Sequence, residues 1–276
     1  MSNGEKPIGI LDSGVGGLTV AREIVRYLPE EEIVYYGDTL HLPYGPRLLD
    51  EVKSFVYKII NYLLNKKKAK SIVLACNTAT SAALAAVKKK YASVPIFGTI
   101  KSVTRSAYEE SDNKRIGVIG TEGTINSQAY QKSLHNLDQE LEVFSAACPR
   151  FVELVEEGKF SGSDVEIIAY KYLNGLKEAG IDSLILGCTH FPYLKPVIQK
   201  VMGDEVTLIS SGVAMAKAIR KTFKEKNMLN NSNHTEISQQ EFIVSDRSRI
   251  SRTFLNKGRK FLQLPSLEFK EHNIFN

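Results

Sequence analysis

Little in this sequence would staple a chain or anchor it. Three cysteines in 276 residues do not make a disulfide framework. Two of them, Cys76 and Cys188, end apolar runs beside polar reactive neighbours, so reduced thiols are the natural reading. Long hydrophobic runs are also missing. The first, Ile8 to Leu11, is too short for a signal-peptide core, and no later one approaches the roughly 18 residues of a membrane helix. A cytoplasmic protein with no membrane contact is expected.

Any excess of one sign of charge is small as well, with 36 Lys and Arg against 31 Asp and Glu. The net charge of +5 has two obvious sources, Lys66-Lys67-Lys68 and Lys88-Lys89-Lys90. Each ends a predicted helix, where cations complement the helix dipole. No aromatic residues interleave with them as a stacking platform requires, so no nucleic-acid partner is expected. The 43% hydrophobic and 24% charged residues that remain describe a soluble globular protein with room for one large domain or two ordinary ones.

The chain is organised around Cys76-Asn77-Thr78. The apolar run Ser71 to Ala75 precedes it and a predicted helix from Ala79 to about Tyr91 follows, the pattern of a buried parallel strand delivering chemistry at its carboxyl end. Ser183 to Gly187 repeats the design and delivers Cys188-Thr189-His190 before Phe191-Pro192 redirects the chain. Strands at Ile8–Leu11 and Ile33–Tyr36, with helices marked by Leu18 to Leu28 and by Leu49 to Leu63, complete a parallel α/β pattern. Further strands are predicted at Pro95–Phe97, Ile116–Ile119, Leu141–Ser145, Val206–Ile209 and Phe242–Val244. The predicted helices run over Ser102–Glu110, from the turn at Gly120 to Thr124 as far as about Leu134, around Phe151 to Val155, over Val165–Lys177, and from Ser210-Ser211-Gly212 on to about Phe223. The last spans Arg249–Phe261, and Lys224 to Gln240, rich in Asn, Ser, Gln and Lys, reads as an exposed loop.

These elements recur. Ile116 follows Ile8 by 108 positions and Cys188 follows Cys76 by 112, which argues for a duplicated α/β unit. Two domains are expected, 1–99 with 213–276 and 100–212, facing each other across a cleft lined by strand carboxyl ends. The chemically capable groups all lie just past predicted strands: Asp12 and Ser13, Asp38, Cys76 to Thr78, Thr121 and Thr124, Cys148, and Cys188 to His190.

A thiolate and a thiol on opposite sides of a ligand can remove a proton from one face and return one to the other. Ser, Asn and Thr side chains with backbone N–H groups at helix starts suit the developing carbanion, and Asp12 and His190 are placed to adjust the thiols. Other readings stand beside this one. A strand cysteine is usually a small core residue, and Cys148 is assigned that role. The glycines of Asp12-Ser13-Gly14-Val15-Gly16-Gly17 could cradle a phosphate, but the stretch lacks the Lys-Ser/Thr of a P-loop and Asp12 would repel an anion. Cys188 with His190 could serve a metal or a thiol hydrolase, although the ligand count is poor and a hydrolase leaves Cys76 unexplained.

At these residues the chain resembles the bacterial glutamate racemases, within the cofactor-independent aspartate/glutamate racemase family. The matching segments are Leu11 to Gly17, Pro43-Tyr44-Gly45, Ala75 to Ala79, Gly120-Thr121 with Gly123-Thr124, Leu154 to Gly158, and Gly187 to Pro192. The resemblance implies that Cys76 acts on D-glutamate and Cys188 on L-glutamate, with Asp12 assisting the first and His190 with Glu156 the second. Ser13, Tyr44, Gly45, Asn77, Thr78, Thr121, Thr124 and Thr189 are the implied substrate contacts, with Asp12 and His190 also in reach. It further implies D-glutamate for peptidoglycan synthesis, no pyridoxal phosphate or metal, and a homodimer. Arg150 and Glu153 depart from the family pattern, so Glu153 stands beside Glu156 as the carboxylate that reaches the cleft. An aspartate or other amino-acid racemase, and a non-catalytic amino-acid-binding module, are the alternative functions.

Overall fold

The computed structural model describes residues 4–230, 240–263 and 267–275. It contains two parallel sheets. The first half begins with β1 (Ile8–Asp12), α1 (Leu18–Tyr27), β2 (Ile33–Gly37), α2 (Leu49–Asn65), β3 (Ser71–Leu74), α3 (Asn77–Lys90) and β4 (Ile96–Gly98). The second comprises α4 (Thr99–Glu110), β5 (Arg115–Gly120), α5 (Glu122–Asn126), α6 (Ala129–His135), β6 (Glu142–Ala147), α7 (Pro149–Glu156), α8 (Ser163–Glu178), β7 (Ser183–Gly187), α9 (Lys195–Met202) and β8 (Thr207–Ser210). The chain then returns through α10 (Ser211–Glu225), β9 (Gln240–Val244), α11 (Arg252–Leu262) and β10 (Phe269–Glu271).

The strand orders are β10-β9-β2-β1-β3-β4 and β6-β5-β7-β8. Leaving out the two returning strands, both sheets have the same order, and the register agrees: Ile8 lies opposite Ser71 in the first and Ile116 opposite Ser183 in the second. The duplication inferred from spacing is therefore a duplication of pairing. Both cysteines sit five residues beyond those serines, so register alone carries them to equivalent positions.

Burial explains the unbroken apolar strands. α2 and α3 cover one face of the first sheet, packing Val52, Val56, Ile59 and Val87 with Ile72 and Leu74. A second cluster is continuous between the halves, from Ile10, Val15 and Leu18 through Ile119 and Leu186 to Phe191 and Phe254. α4 and α6 cover the remaining face of the second sheet with Val103, Ala107 and Leu134.

Several boundaries differ from expectation for identifiable reasons. α3 starts two residues early because the Cys76 thiol caps it, accepting from the Ala79 N–H at 3.4 Å. The helix expected to reach Leu134 is two helices, broken where Gln128 takes φ 54°. α9 was not expected; a 3-10 turn over Phe191–Leu194 leads into it, with Pro196 in its first turn. The last helix begins at Arg252 rather than Arg249, since the Ser251 hydroxyl accepts from the Phe254 N–H and fixes its start. Three-residue β10 carries too short a pattern to announce itself.

The expectation of an exposed loop from Lys224 to Gln240 is corrected in part. Lys224 and Glu225 finish α10 and Met228 is buried, while positions 231–239 lie outside the described residues. Lys70 explains the docking: its Nζ, buried 2.5 Å from Glu31, also donates to the Gly4 and Met228 carbonyls at 2.6 and 2.9 Å. Glu31 in turn accepts the Asn230 N–H at 3.0 Å. Removing one member strands a buried charge, so Lys70→Ala should cost about 3 kcal/mol or more in denaturant unfolding. A change under about 0.5 kcal/mol would contradict this bridge as the fastening of the returning chain.

Candidate active site

The turn after β1 wraps a carboxylate. Asp12 is fully buried, and its Oδ2 accepts the Gly14 and Gly17 N–H groups at 3.2 and 2.9 Å. A Cβ on Gly17 would lie 2.6 Å from the Asp12 side chain, and one on Gly16 would lie 2.5 Å from His190 Nδ1. These glycines give room to Asp12 and His190, which removes the phosphate-loop reading. On its other oxygen Asp12 accepts from the Thr189 hydroxyl at 3.3 Å, so the turn after β1 is tied to the turn after β7. Burial pushes the Asp12 carboxyl up, while His190 and the backbone donors oppose that rise.

The two thiols have different partners. Cys76 lies at the end of the β3 run, and burial, with the nearby Asp12 charge, pushes its thiol up to about 12. The Sγ of Cys188 lies 3.7 Å from His190 Nδ1, and His190 Nε2 lies 2.6 Å from Glu156. Burial works against charge on His190, but its hydrogen bonds to Cys188 and Glu156 outweigh it and hold the imidazole well above its ordinary value. Glu156 is thus the carboxylate that reaches His190. Glu153 is exposed and pairs with Arg150 on the surface.

Both thiols line one cavity of about 20 Å³, with Ser13, Tyr44, Gly45, Asn77, Thr78, Thr121, Thr189 and His190 around it. Asp12, Thr124 and Glu156 stand one layer behind, reaching it through Thr189, Thr121 and His190. Thr78 Oγ1 lies 2.9 Å from Thr121 and 3.3 Å from Thr124, and the Gly123 N–H donates to the Gly45 carbonyl at 3.0 Å. These contacts close the halves upon each other. A volume suited to one or two waters cannot admit an amino acid until they part.

The Tyr44 hydroxyl donates to Asp38 at 2.7 Å, and Ser245 donates to the other oxygen of Asp38 at 2.9 Å. The returning chain thereby braces the loop that carries Tyr44 and Gly45. Cys148 is fully buried and its thiol faces the Ala146 carbonyl. The cavity wall also includes Leu42, Val152 and Gly187, which sequence reasoning did not single out as contacts. At Gly187 a Cβ would lie 2.6 Å from the Ile119 carbonyl, a contact that only the folded chain reveals.

The fold, two parallel sheets with one strand order, is that of the two-domain racemases with which the chain compares. Residues 8–219 match the Asp/Glu/Hydantoin racemase family, and the chain belongs to it. It is 43% identical over 263 residues to a glutamate racemase from a Carnobacterium species, covering 95% of this chain and 96% of that one. The structure of a glutamate racemase from Bacillus anthracis superposes with a TM-score of 0.89 at 38% identity, covering 98% of each chain. That of a Francisella tularensis glutamate racemase bound to D-glutamate gives 0.88 at 32%, again covering 98% of each.

The raised Cys76 thiol has a direct readout. With Cys148 and Cys188 replaced by Ser, alkylation of Cys76 should keep accelerating well past pH 8.5, about the ordinary thiol value. A rate that levels off near that value would contradict the buried, Asp12-facing environment.

Proposed function

We propose that this chain interconverts L- and D-glutamate by proton transfer between Cys76 and Cys188, without a cofactor. The observation that carries the reading is the pair of thiols at equivalent positions of two repeated sheets, lining one cavity with different partners. Starting from L-glutamate, the Cys188 thiolate takes the α-proton and forms an S–H bond as the C–H bond breaks. The electron pair passes into the α-carboxylate as an enediolate. The Cys76 thiol then gives its proton to the opposite face of the α-carbon, and D-glutamate leaves with the protonation of the two cysteines exchanged.

Each neighbour has a role in this scheme. His190, held by Glu156, supports charge on Cys188. The Asp12 carboxylate strengthens Cys76 as a base for the reverse direction, because it raises the thiol. Asn77, Thr78, Thr121 and Thr189 supply donors to the carboxylates, with Thr124 behind Thr121 and Thr78, aided by the electropositive start of α3. Ser13, Tyr44 and Gly45 complete the cavity, and we assign substrate contact to them on that basis.

The same reading divides the chain into 1–99 with 213–276 and 100–212, supported by β9 and β10 joining the first sheet. It places the enzyme in the cytoplasm, where free thiols persist and where D-glutamate would be drawn into peptidoglycan synthesis. Among the described residues no helix is long and apolar enough to cross a membrane. We retain the homodimer as the working assembly; sedimentation velocity giving a single monomer-sized species at micromolar concentration would remove it.

Circular dichroism of L-glutamate solutions tests the activity. Signal should decay with the intact protein, and Cys76→Ser or Cys188→Ser should each lower the rate by about 10³-fold or more. Faster turnover of aspartate than glutamate would overturn the substrate assignment. Full activity of either variant would remove the two-cysteine chemistry.

A further inference from the structure

Asn77 follows Cys76 directly, begins α3 and lines the cavity. An asparagine amide presents a carbonyl at one end and an N–H2 at the other, and the two ends have nearly the same shape. Only the N–H2 end helps a carboxylate gaining negative charge; the carbonyl end repels it. Something must therefore decide which end faces the cleft.

Two buried hydroxyls meet the Asn77 carbonyl oxygen. Thr99 Oγ1 donates to it at 2.7 Å and the Tyr130 hydroxyl at 2.6 Å. Together they use both lone pairs of Oδ1, while Nδ2 is buried without a hydrogen-bond partner in the protein. A buried donor left unpaired is costly in a folded protein unless a ligand takes it up. The other acceptor within reach of the Thr99 hydroxyl, Thr80 Oγ1, is farther away at 3.4 Å, so the Asn77 carbonyl at 2.7 Å is the closer partner.

The two hydroxyls come from different elements, and both meet a residue of the first sheet's α3. Thr99 opens α4 directly after β4, at the edge of the first sheet. Tyr130 belongs to α6 in the second half and is buried, with its ring against Gly187, where a Cβ would lie 3.1 Å from it. Gly187 immediately precedes Cys188, so this one ring reaches from the Cys188 turn to the residue beside Cys76. Thr99 and Ser211 flank the hydroxyl itself.

We propose that Tyr130 and Thr99 are positioning residues that hold the Asn77 amide with its N–H2 directed at the substrate carboxylate, Tyr130 doing so only when the two halves are closed. The proposal rests on the racemase reading of the cleft. Neither residue touches the reacting atoms in this account; both act through Asn77.

A double-mutant cycle tests it, with kcat/KM measured from L- and from D-glutamate. Tyr130→Phe and Thr99→Val should each lower kcat/KM several-fold to about tenfold in both directions, the scale of one hydrogen bond. Tyr130→Phe combined with Thr99→Val should approach the loss of Asn77→Ala. On the Asn77→Ala background, Tyr130→Phe should change the rate by less than twofold, because the group it aims is gone. An equal loss on both backgrounds would overturn the proposal, as would Tyr130→Phe and Thr99→Val enzymes as fast as the unsubstituted chain. Should Tyr130→Phe fail to fold, Thr99→Val carries the same cycle with Asn77→Ala. Failure of the racemase reading is separately visible, since the unsubstituted chain would then leave the glutamate signal unchanged.

Discussion

The buried carboxylate of Asp12 is the constraint on which the rest of the structure depends. Its oxygens require donors, and the chain supplies them by coiling the Gly14 to Gly17 turn around one and bringing the Thr189 hydroxyl to the other. The first demand forbids a side chain at Gly17, while His190 forbids one at Gly16. The second joins the turn after β1 to the turn after β7, so the two halves meet where their cysteines are displayed. The Asp12 charge then acts on Cys76, which is already shut away from water, and keeps its proton in place. One group thus links the Gly17 position and the approach of the two halves, and adds to the burial that raises the Cys76 thiol.

The asymmetry of the site grows from a symmetric scaffold. Register carries Cys76 and Cys188 to matching positions, yet the sequence around them has diverged. Cys76 caps α3 within the influence of the Asp12 charge; Cys188 lies beside His190, which leans on Glu156. One thiol capping a helix and one thiol beside an imidazole suit two bases working on opposite faces of one carbon. Duplication provides the geometry and local substitution the division of labour. Hydroxyl contacts among Thr78, Thr121 and Thr124, with the Gly123 to Gly45 backbone bond, hold the cavity shut around that geometry.

Much of this was legible in the residues themselves. Apolar runs ending in Asp12, Cys76 and Cys188 announced strands with chemistry at their carboxyl ends, and near-equal spacing announced the repeat. What escaped had no local signal. α9 follows a proline that reads as a break, and β10 is three residues long. The choice of Glu156 over Glu153 depends on which face of α7 meets His190, and a single helical turn separates the two candidates. Leu42 and Val152 reach the cavity only through tertiary folding. Thr99 and Tyr130 are ordinary in sequence, distant from Asn77 along the chain, and acquire meaning only when both hydroxyls are seen on one carbonyl oxygen.

The most direct test of the two-thiol account is racemisation of L-glutamate in D₂O, stopped at low conversion and analysed by mass spectrometry after separating the enantiomers. A thiol that delivers a solvent-derived deuteron to the opposite face predicts D-glutamate with one deuterium at the α-carbon, and L-glutamate recovered without it. Protium retained in the D-product, or deuterium accumulating in the remaining L-glutamate, would mean that one base serves both faces and would contradict the separate roles of Cys76 and Cys188.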